Sequence, residues 1–353
     1  MQTRPLSGRS PSPQGDGGGV TAVVVCYDED PAELRVAIDG LLAQTRPPEE
    51  ILVIDNGGGR LARELDGHHE SVRALVAPAN LGYPPAVNLA AAHAAGEYML
   101  CLNPDAEAEP DCLERLVESA ARDPKVALVG AQILLEDHQT RNAGANPVHP
   151  TGISPAGGYG LPREDGEPRD VLVVSGACCL IRRSVFLELG GFVEEFFMYY
   201  DDVDLGWRAN MAGYRVVYDP RAVVSHAYAF ARRGKKWLYL ERNRLFTVIA
   251  NYQPRTLLLL APLLLASEAG LLVVAALGGW LPQKLAAYVW LVRMRSRLRE
   301  HRRAVAGSRR RSDAELLSLF EPRLHSALLP AAGARLANAF AVPYLRIVRR
   351  LAR

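Results

Sequence analysis

The sequence predicts an α/β protein: a Rossmann-like mixed sheet flanked by helices, followed by a helical appendage. Three observations carry that expectation. Short apolar runs rich in β-branched residues alternate with stretches of helical period over residues 20–130. Polar loops bearing carboxylates follow the runs at 51–54 and 98–102. A leucine-rich stretch at 256–281 is succeeded by a crowd of arginines, a change of composition that sets the C-terminal third apart.

Residues 20–26, VTAVVVC, form a continuous apolar run of the kind buried on both faces of a parallel sheet. Asp30 and Pro31 open a helix over 32–43, with Leu34, Ile38, Leu41 and Leu42 on its apolar side, and Pro47-Pro48 stop it. Residues 51–54 give a second strand and close a βαβ unit, whose crossover is right-handed. A third strand is expected at 72–76. After the Asn80-Leu81-Gly82 turn come an alanine-rich helix ended by Gly96 and a fourth strand at 98–102. A helix over 110–120 and a strand at 126–129 complete the next step. Residues 136–169 are polar and rich in Gly and Pro, and read as a long loop or hairpin lying over the site. An apolar strand is expected over 171–181, with Ser175-Gly176 inside it. A helix over 203–212, closed by Gly213, and a strand over 214–218 lead to His226.

In such sheets ligands sit beyond the carboxyl ends of the strands. Asp55 falls there, where a nucleotide would meet it, although Asp55-Asn56-Gly57 is also an ordinary turn sequence. Asp105, in the Asn103-Pro104-Asp105 loop, falls at the same edge. A carboxylate so placed can hold a hard divalent cation that also grips a diphosphate. Most chemistry gathers in residues 174–226. An aromatic approach (Phe196, Phe197, Met198, Tyr199, Tyr200) runs into Asp201, Asp202 and Asp204 at a helix start. The positive helix end stabilises anions there, and a carboxylate beside a ring-lined wall can take the proton of a sugar hydroxyl. The same residues could instead be a cap and a solvated first turn.

Composition narrows the classes. With 353 residues, 49% hydrophobic and 23% charged, the chain can bury a sizeable core, and a net charge of +2 makes no case for nucleic acid. Cys26, Cys101, Cys112, Cys178 and Cys179 form no CxxC pair and read as reduced core residues. Residues 1–19 hold Pro, Ser, Gly and Arg without an apolar h-region, so a disordered lead-in and no signal peptide are expected.

The segments VVVCYDED, QTRPPEEILVIDNGG, NLGYPPAVNLA, LNPDAEAEPDCL, VSGACCLIRR, GGFVEEFFMYYDDVDLGWRANMAGYRVVYDP, VVSH and YLERNRL occur in that order. Together the set resembles glycosyltransferase family 2 over residues 20–250, most closely its bacterial rhamnosyltransferase-like and galactofuranosyltransferase-like branch. The resemblance implies a GT-A fold and inverting transfer from a nucleotide-diphosphate sugar. It implies that Asp28, Asp55, Asn80, Asn88 and Asp105 bind the donor, with Asp55 facing the nucleobase. It makes Asp105 the carboxylate of the metal motif, here Asn-Pro-Asp, and His226 a further ligand of Mn²⁺ or Mg²⁺. Asp202 becomes the general base, with Tyr199, Tyr200, Asp201, Asp204 and Trp207 around the acceptor. Inversion is one in-line displacement, so one base and a stabilised leaving group suffice. Asp28 stands where the family more often has Asn, Asp201 where it has Glu, and Pro84-Pro85 replace small residues. None of these removes a proposed catalytic group, while the prolines bear on donor-loop movement and sugar choice.

Arg242 and Arg244 read either as phosphate contacts or as members of surface salt bridges. Residues 256–281 approach the roughly 20 apolar residues of a bilayer span, but Pro262 interrupts them and Glu268 would be costly in lipid. Tyr288 and Trp290 beside Arg293, Arg295, Arg297 and Arg299 make an interfacial pattern. The expected organisation is a lead-in at 1–19, a GT-A domain at 20–250, a membrane-associated helical pair at 251–300 and amphipathic helices at 301–353. The pair would dip into the cytoplasmic face of the bacterial plasma membrane, with arginines on anionic headgroups. Its alternative is a soluble hairpin packed on the domain or on a second subunit of a homo-oligomer.

The functional expectation is therefore an inverting, metal-dependent glycosyltransferase acting on a lipid-linked or cell-surface glycan. The preferred donor is dTDP-rhamnose and the alternative a UDP-hexose. A nucleotidyltransferase would need a Gly-rich basic loop after the first strand, where Tyr27-Asp28-Glu29-Asp30 stand. A catalytically degenerate scaffold would lack the base or the metal carboxylate, and both Asp202 and Asp105 are present.

Overall fold

Residues 18–226, 235–324 and 331–352 are described by the structure, a computed structural model. The lead-in expected at 1–19 falls almost wholly outside the described residues. The chain begins β1 (Val20–Cys26), α1 (Pro31–Leu42), β2 (Glu50–Asp55), α2 (Arg60–Glu64), β3 (Val72–Val76) and α3 (Tyr83–His93). Local chemistry explains these starts. Asp30 caps α1 by accepting from the Ala32 N–H at 2.8 Å, with Pro31 in the first turn. Pro84-Pro85 likewise sit in the first turn of α3, where no backbone N–H is needed. Next come β4 (Tyr98–Leu102), β5 (Ala106–Ala108), α4 (Cys112–Ala121), β6 (Val126–Leu134), β7 (Arg141–Ala143) and β8 (Arg169–Asp170). The α/β part closes with β9 (Cys178–Arg182), α5 (Arg183–Glu188), α6 (Asp201–Met211) and β10 (Arg215–His226).

The sheet order is β3-β2-β1-β4-β9-β6-β10-β5, with β7 beside β6 and β8 beside β10. β1, β2, β3 and β4 are mutually parallel. β9 runs antiparallel between β4 and β6, and β10 is parallel to β6. It follows that β1, β2, β4, β6 and β10 all end at the edge where β9 begins. The sheet is therefore mixed, as expected, and its two faces carry separate apolar layers. All five cysteines are buried and free.

Three expectations need correction. The strands expected at 126–129 and 214–218 extend to Leu134 and His226, because they pair with each other through a bulge between Asp219 and Val223. Asp219 pins that bulge by accepting from Ser119 Oγ at 2.7 Å and from Arg221 Nη2 at 2.8 Å. The strand expected over 171–181 is a ladder only from Cys178. Residues 171–177 leave it to bond elsewhere: Val171 N–H donates to Val216 O (2.9 Å) and Ser175 N–H to Gly144 O (3.2 Å). The insertion at 136–169 carries β7 on β6, and its residues 148–152 pack under the C-terminal helices, with Thr151 O accepting from Arg244 Nη1 at 2.9 Å and Pro150 O from Tyr252 Oη at 3.0 Å.

Those helices are α7 (Lys236–Asn251), α8 (Pro254–Leu277), α9 (Leu281–Arg293), α10 (Arg295–Ser308), α11 (Asp313–Leu316) and α12 (Ala331–Leu351). They share a core with α6. Trp207 is fully buried, its ring edge-on to Tyr252 (4.7 Å between centroids) and Phe320 (4.8 Å). α8 is turned outward in its apolar part. Leu258, Leu265 and Leu277 are 76%, 71% and 86% exposed. Glu268 points inward to an ion cluster. Lys284 Nζ bonds it at 2.6 Å, Tyr288 Oη bonds it at 2.6 Å, and Arg244 pairs with both Glu268 and Glu241. Lys284 also pairs with Glu241. The cost of Glu268 in an apolar helix is thus met by buried cations of α7 and α9. Among the described residues α8 is the helix long and apolar enough to cross a membrane.

Candidate active site

Because β4 and β10 end at the same edge and β5 turns back antiparallel on β10, His226 lies opposite Ala106 in register. That register brings Asp105 to His226: Oδ1 and Nε2 are 2.9 Å apart. The Asn103 amide nitrogen reaches the same Nε2 at 3.2 Å. His226 is buried and Asp105 half-exposed. An imidazole nitrogen and a carboxylate oxygen thus converge at the end of the sheet. Among the described residues no third His, Cys, Asp or Glu joins them.

Asp202 sits in the first turn of α6. Its Oδ2 accepts from the Gly176 N–H (3.1 Å) and its Oδ1 from the Val203 N–H (2.8 Å). Gly176 belongs to the segment that enters β9, and the next residue, Ala177, accepts through its carbonyl from the Asn103 N–H at 2.9 Å. A short run of contacts therefore joins Asp202 to the Asp105–His226 pair. Burial raises both Asp201 and Asp202 above the ordinary carboxylate range, and for Asp201 the neighbouring Asp202 adds to the effect. The two N–H donors on Asp202 work the other way and favour its anion.

The approach to α6 is bent by three non-glycine residues with positive φ: Phe197 (64°), Tyr199 (67°) and Tyr200 (69°). Left-handed backbone of this kind persists only where the surroundings fix it. Here α7 supplies the fixture. Asn243 Nδ2 donates to the carbonyls of Phe196 (3.2 Å), Met198 (2.9 Å) and Tyr199 (2.9 Å). Arg242 Nη2 donates to the carbonyls of Glu195 (2.9 Å) and Phe196 (2.8 Å), its guanidinium lying 4.6 Å from the Tyr239 ring and 4.5 Å from Trp290. On the other side Gly82, with φ +83°, touches the loop: a Cβ there would come within 2.2 Å of Phe197 O. The Tyr83 N–H donates to that same carbonyl at 2.8 Å. Asn56 completes the link by donating to Gly82 O at 3.1 Å.

Several expected site residues are employed elsewhere. Asp55 is buried and turned inward: it accepts from the Gly57 N–H (2.7 Å) and the Ala62 N–H (2.8 Å), so it shapes the loop and presents no carboxylate to a nucleobase. Asn88 spends its amide on both backbone groups of Phe192 (2.9 Å each), beside Gly191, and does not face a donor cleft. Trp207 is core and cannot touch an acceptor. Asp204 is an internal anion, bonded to Arg208 Nε at 2.6 Å and to Asn251 at 3.2 Å. Burial opposes its ionisation, yet Arg208 and His301 outweigh that and hold it well below the usual carboxylate range. Arg208 in turn ties Leu189 O and Gly191 O, each at 2.8 Å. Tyr200 is buried with its hydroxyl on Gly152 O (2.7 Å), and Asp201 is buried beside it. Arg244 lies in the ion cluster and bonds Thr151 O at 2.9 Å, so it offers no phosphate contact. Tyr199 is half-buried, and Asp28 and Asn80 are exposed. Asp28 is 3.8 Å from Arg60.

Sequence reasoning missed Asn103, Gly176 and Asn243 as members of the site. Asn103 and Asn243 carried a signal, a lone Asn within a metal-type loop and one inside a helix between two arginines. Gly176 carried none beyond a glycine in an apolar run.

The mixed sheet with its carboxylates at one edge has the GT-A architecture of sugar-transferring enzymes. It is similar to the solved structure of GalNAc-T7 with UDP, GalNAc and Mn²⁺ (TM-score 0.55, 15% identity, 67% of this chain and 48% of that one), a likeness of fold. The family model "Glycosyl transferase family 2" matches residues 21–190. The N-acetylglucosaminyl-diphospho-decaprenol L-rhamnosyltransferase of Mycobacterium tuberculosis is 32% identical over 230 residues, 58% of this chain and 74% of that protein. O-antigen biosynthesis protein RfbC of Myxococcus xanthus is 35% identical over 228 residues, 60% of this chain but only 18% of that much longer protein. The chain belongs to glycosyltransferase family 2, in its rhamnosyltransferase-like branch.

Proposed function

We propose that this chain is an inverting glycosyltransferase that moves a sugar, rhamnose by preference, from a nucleotide-diphosphate donor to a lipid-linked or polysaccharide acceptor. The observation that carries the reading is the contact path from Asp202 through Gly176, Ala177 and Asn103 to His226 and Asp105. It links the proposed base to a cation-type donor pair at one sheet edge. The acceptor hydroxyl oxygen attacks the anomeric carbon, the bond to the diphosphate breaks, and the hydroxyl proton passes to Asp202. A base whose pKa is raised by burial is the stronger for it, and the two backbone donors on its oxygens favour its anion.

Asp105 and His226 fit a divalent cation and would hold it through one hard carboxylate oxygen and one imidazole nitrogen, a donor set open to Mn²⁺ or Mg²⁺. Bound there, the cation would offset charge on the departing diphosphate. The exposed Asp28 and Asn80 are the residues proposed to contact the rest of the donor. The choice of rhamnose rests on the mycobacterial relative, whose name also specifies a lipid-linked acceptor.

The exposed leucines of α8, with Arg293, Arg295, Arg299 and Arg303 exposed nearby in sequence, support contact with an anionic membrane surface, read here as the cytoplasmic face. Glu268 faces the protein, which favours α8 and α9 lying in one leaflet over spanning the bilayer. The test is donor binding by calorimetry with a panel of nucleotide sugars, in Mn²⁺ and in EDTA, together with transfer assays. Asp105→Ala should lose the metal-dependent part of donor binding. Asp202→Asn should bind donor normally and fail to transfer. Transfer at the unaltered rate in both variants would sink the mechanism.

A further inference from the structure

We infer that the acceptor's lipid tail is held in an open groove between α7 and α9. The groove has a volume of about 310 Å³ and is lined by Leu238, Ala286, Val289, Trp290 and Arg293. This inference rests on the lipid-linked acceptor proposed above and adds where that lipid lies. The lining is apolar but for a single cation, which is the complement of an isoprenoid phosphate and of neither a sugar nor an acidic peptide.

The groove has a direction. Its Arg293 end adjoins the start of α10, where Arg297 pairs with Glu195 at 3.3 Å. Glu195 begins the strained loop that leads to Asp202. Trp290 contributes one face to the groove and packs on Arg242, the residue that holds the Glu195 and Phe196 carbonyls. Tyr239, next to Leu238, stacks on Phe197 at 5.5 Å between centroids. A diphosphate on Arg293 would thus lie at the catalytic-loop end. The tail would run back along Val289 and Ala286, where exposed Leu285, Val289 and Val292 continue the apolar surface of α9. Tail outward, phosphate at the loop and sugar towards Asp202 is the order in which a lipid-linked saccharide is built.

The experiment is photolabelling of the full-length protein in mixed micelles with a benzophenone-tailed farnesyl diphosphate, mapped by peptide mass spectrometry. The expected result is labelling of the peptide containing 286–293. Decaprenyl phosphate should compete it away. Ala286→Trp, a substitution at an exposed position, should reduce it at least tenfold, and Arg293→Glu should weaken probe binding by a similar factor. Labelling on the outer face of α8 around Leu258 and Leu265, unaffected by Ala286→Trp, would assign the tail to bulk bilayer and overturn the inference. So would a groove masked by self-association, seen as a monomer–dimer equilibrium that Ala286→Trp abolishes. Transfer assays separate the two proposals. Turnover of a lipid-free glycan together with none of N-acetylglucosaminyl-diphospho-decaprenol would remove the acceptor reading itself. Equal KM values for decaprenyl and citronellyl acceptors, each turned over well, would remove the groove alone.

Discussion

Asn243 is the residue whose removal tests the architecture of the site most sharply. It is fully buried, and its amide nitrogen serves the carbonyls of Phe196, Met198 and Tyr199. An Asn amide has two N–H protons, and a buried acceptor left without a partner costs about 1–3 kcal/mol. Asn243→Ala should therefore destabilise the fold by about 2–4 kcal/mol. Relaxation of the left-handed residues it restrains should also displace the first turn of α6. Donor affinity, set by the other end of the cleft, should be kept, while kcat falls by about tenfold or more, equivalent to about 1.4 kcal/mol of transition-state stabilisation. A second readout separates mispositioning from mere loss of stability. Burial holds the Asp202 pKa up, and the rate declines as pH falls through that pKa because the base becomes protonated. Water entering a loosened loop lowers that pKa, so the acid limb of kcat should move to lower pH. Denaturant unfolding, donor titration and a pH–rate profile on Asn243→Ala make the test. A folded variant with unaltered kcat and an unmoved acid limb would refute the reasoning.

Other outcomes follow from groups already described. Asp201→Asn should stabilise the protein at pH 7, since burial raises the native pKa of Asp201 and makes its ionisation unfavourable to folding. That gain should vanish below about pH 4, where the unfolded chain also holds the proton; urea unfolding at both pH values checks it. Lys284→Met should cost about 3–5 kcal/mol by leaving Glu241 and Glu268 with a single buried cation, and Lys284→Met/Glu268→Leu should recover part of it. His226→Ala should weaken Mn²⁺-dependent donor binding without the drop in thermal stability that Trp207→Ala brings, about 3–5 kcal/mol for emptying a core site.

The strands were legible because β-branched apolar runs between helical periods leave few alternatives, and the carboxylates at their ends were placed by the same logic. What pattern could not supply was direction. Asp55 and Asp105 look alike in sequence, each closing a strand. One curls into its own loop while the other meets His226, because Asp55 is followed by the backbone N–H groups of Gly57 and Ala62 within reach. Asp202 and Asp204 are two residues apart on one helix, about 200° by helical geometry, so one meets Gly176 and the other Arg208. The full length of β10 was not legible because Pro220, inside it, sits in a bulge rather than at a strand end. Glu268 was read as a flaw in an apolar helix because its partners, Arg244 and Lys284, lie 24 and 16 residues away.

The insertion of β9 between β4 and β6 has a consequence for how such a chain can change. Gly176 donates to Asp202 on one side and Ala177 accepts from Asn103 on the other, so on the proposed mechanism the spacing between the proton's acceptor and the departing diphosphate is gauged by backbone contacts of the short segment that leads into β9. On that reading the exposed Asp28 and Asn80 can be exchanged to admit another sugar or nucleotide while that gauge stays fixed. Diversification of donors and constancy of chemistry are then properties of different parts of the molecule, one free to drift and the other locked in backbone.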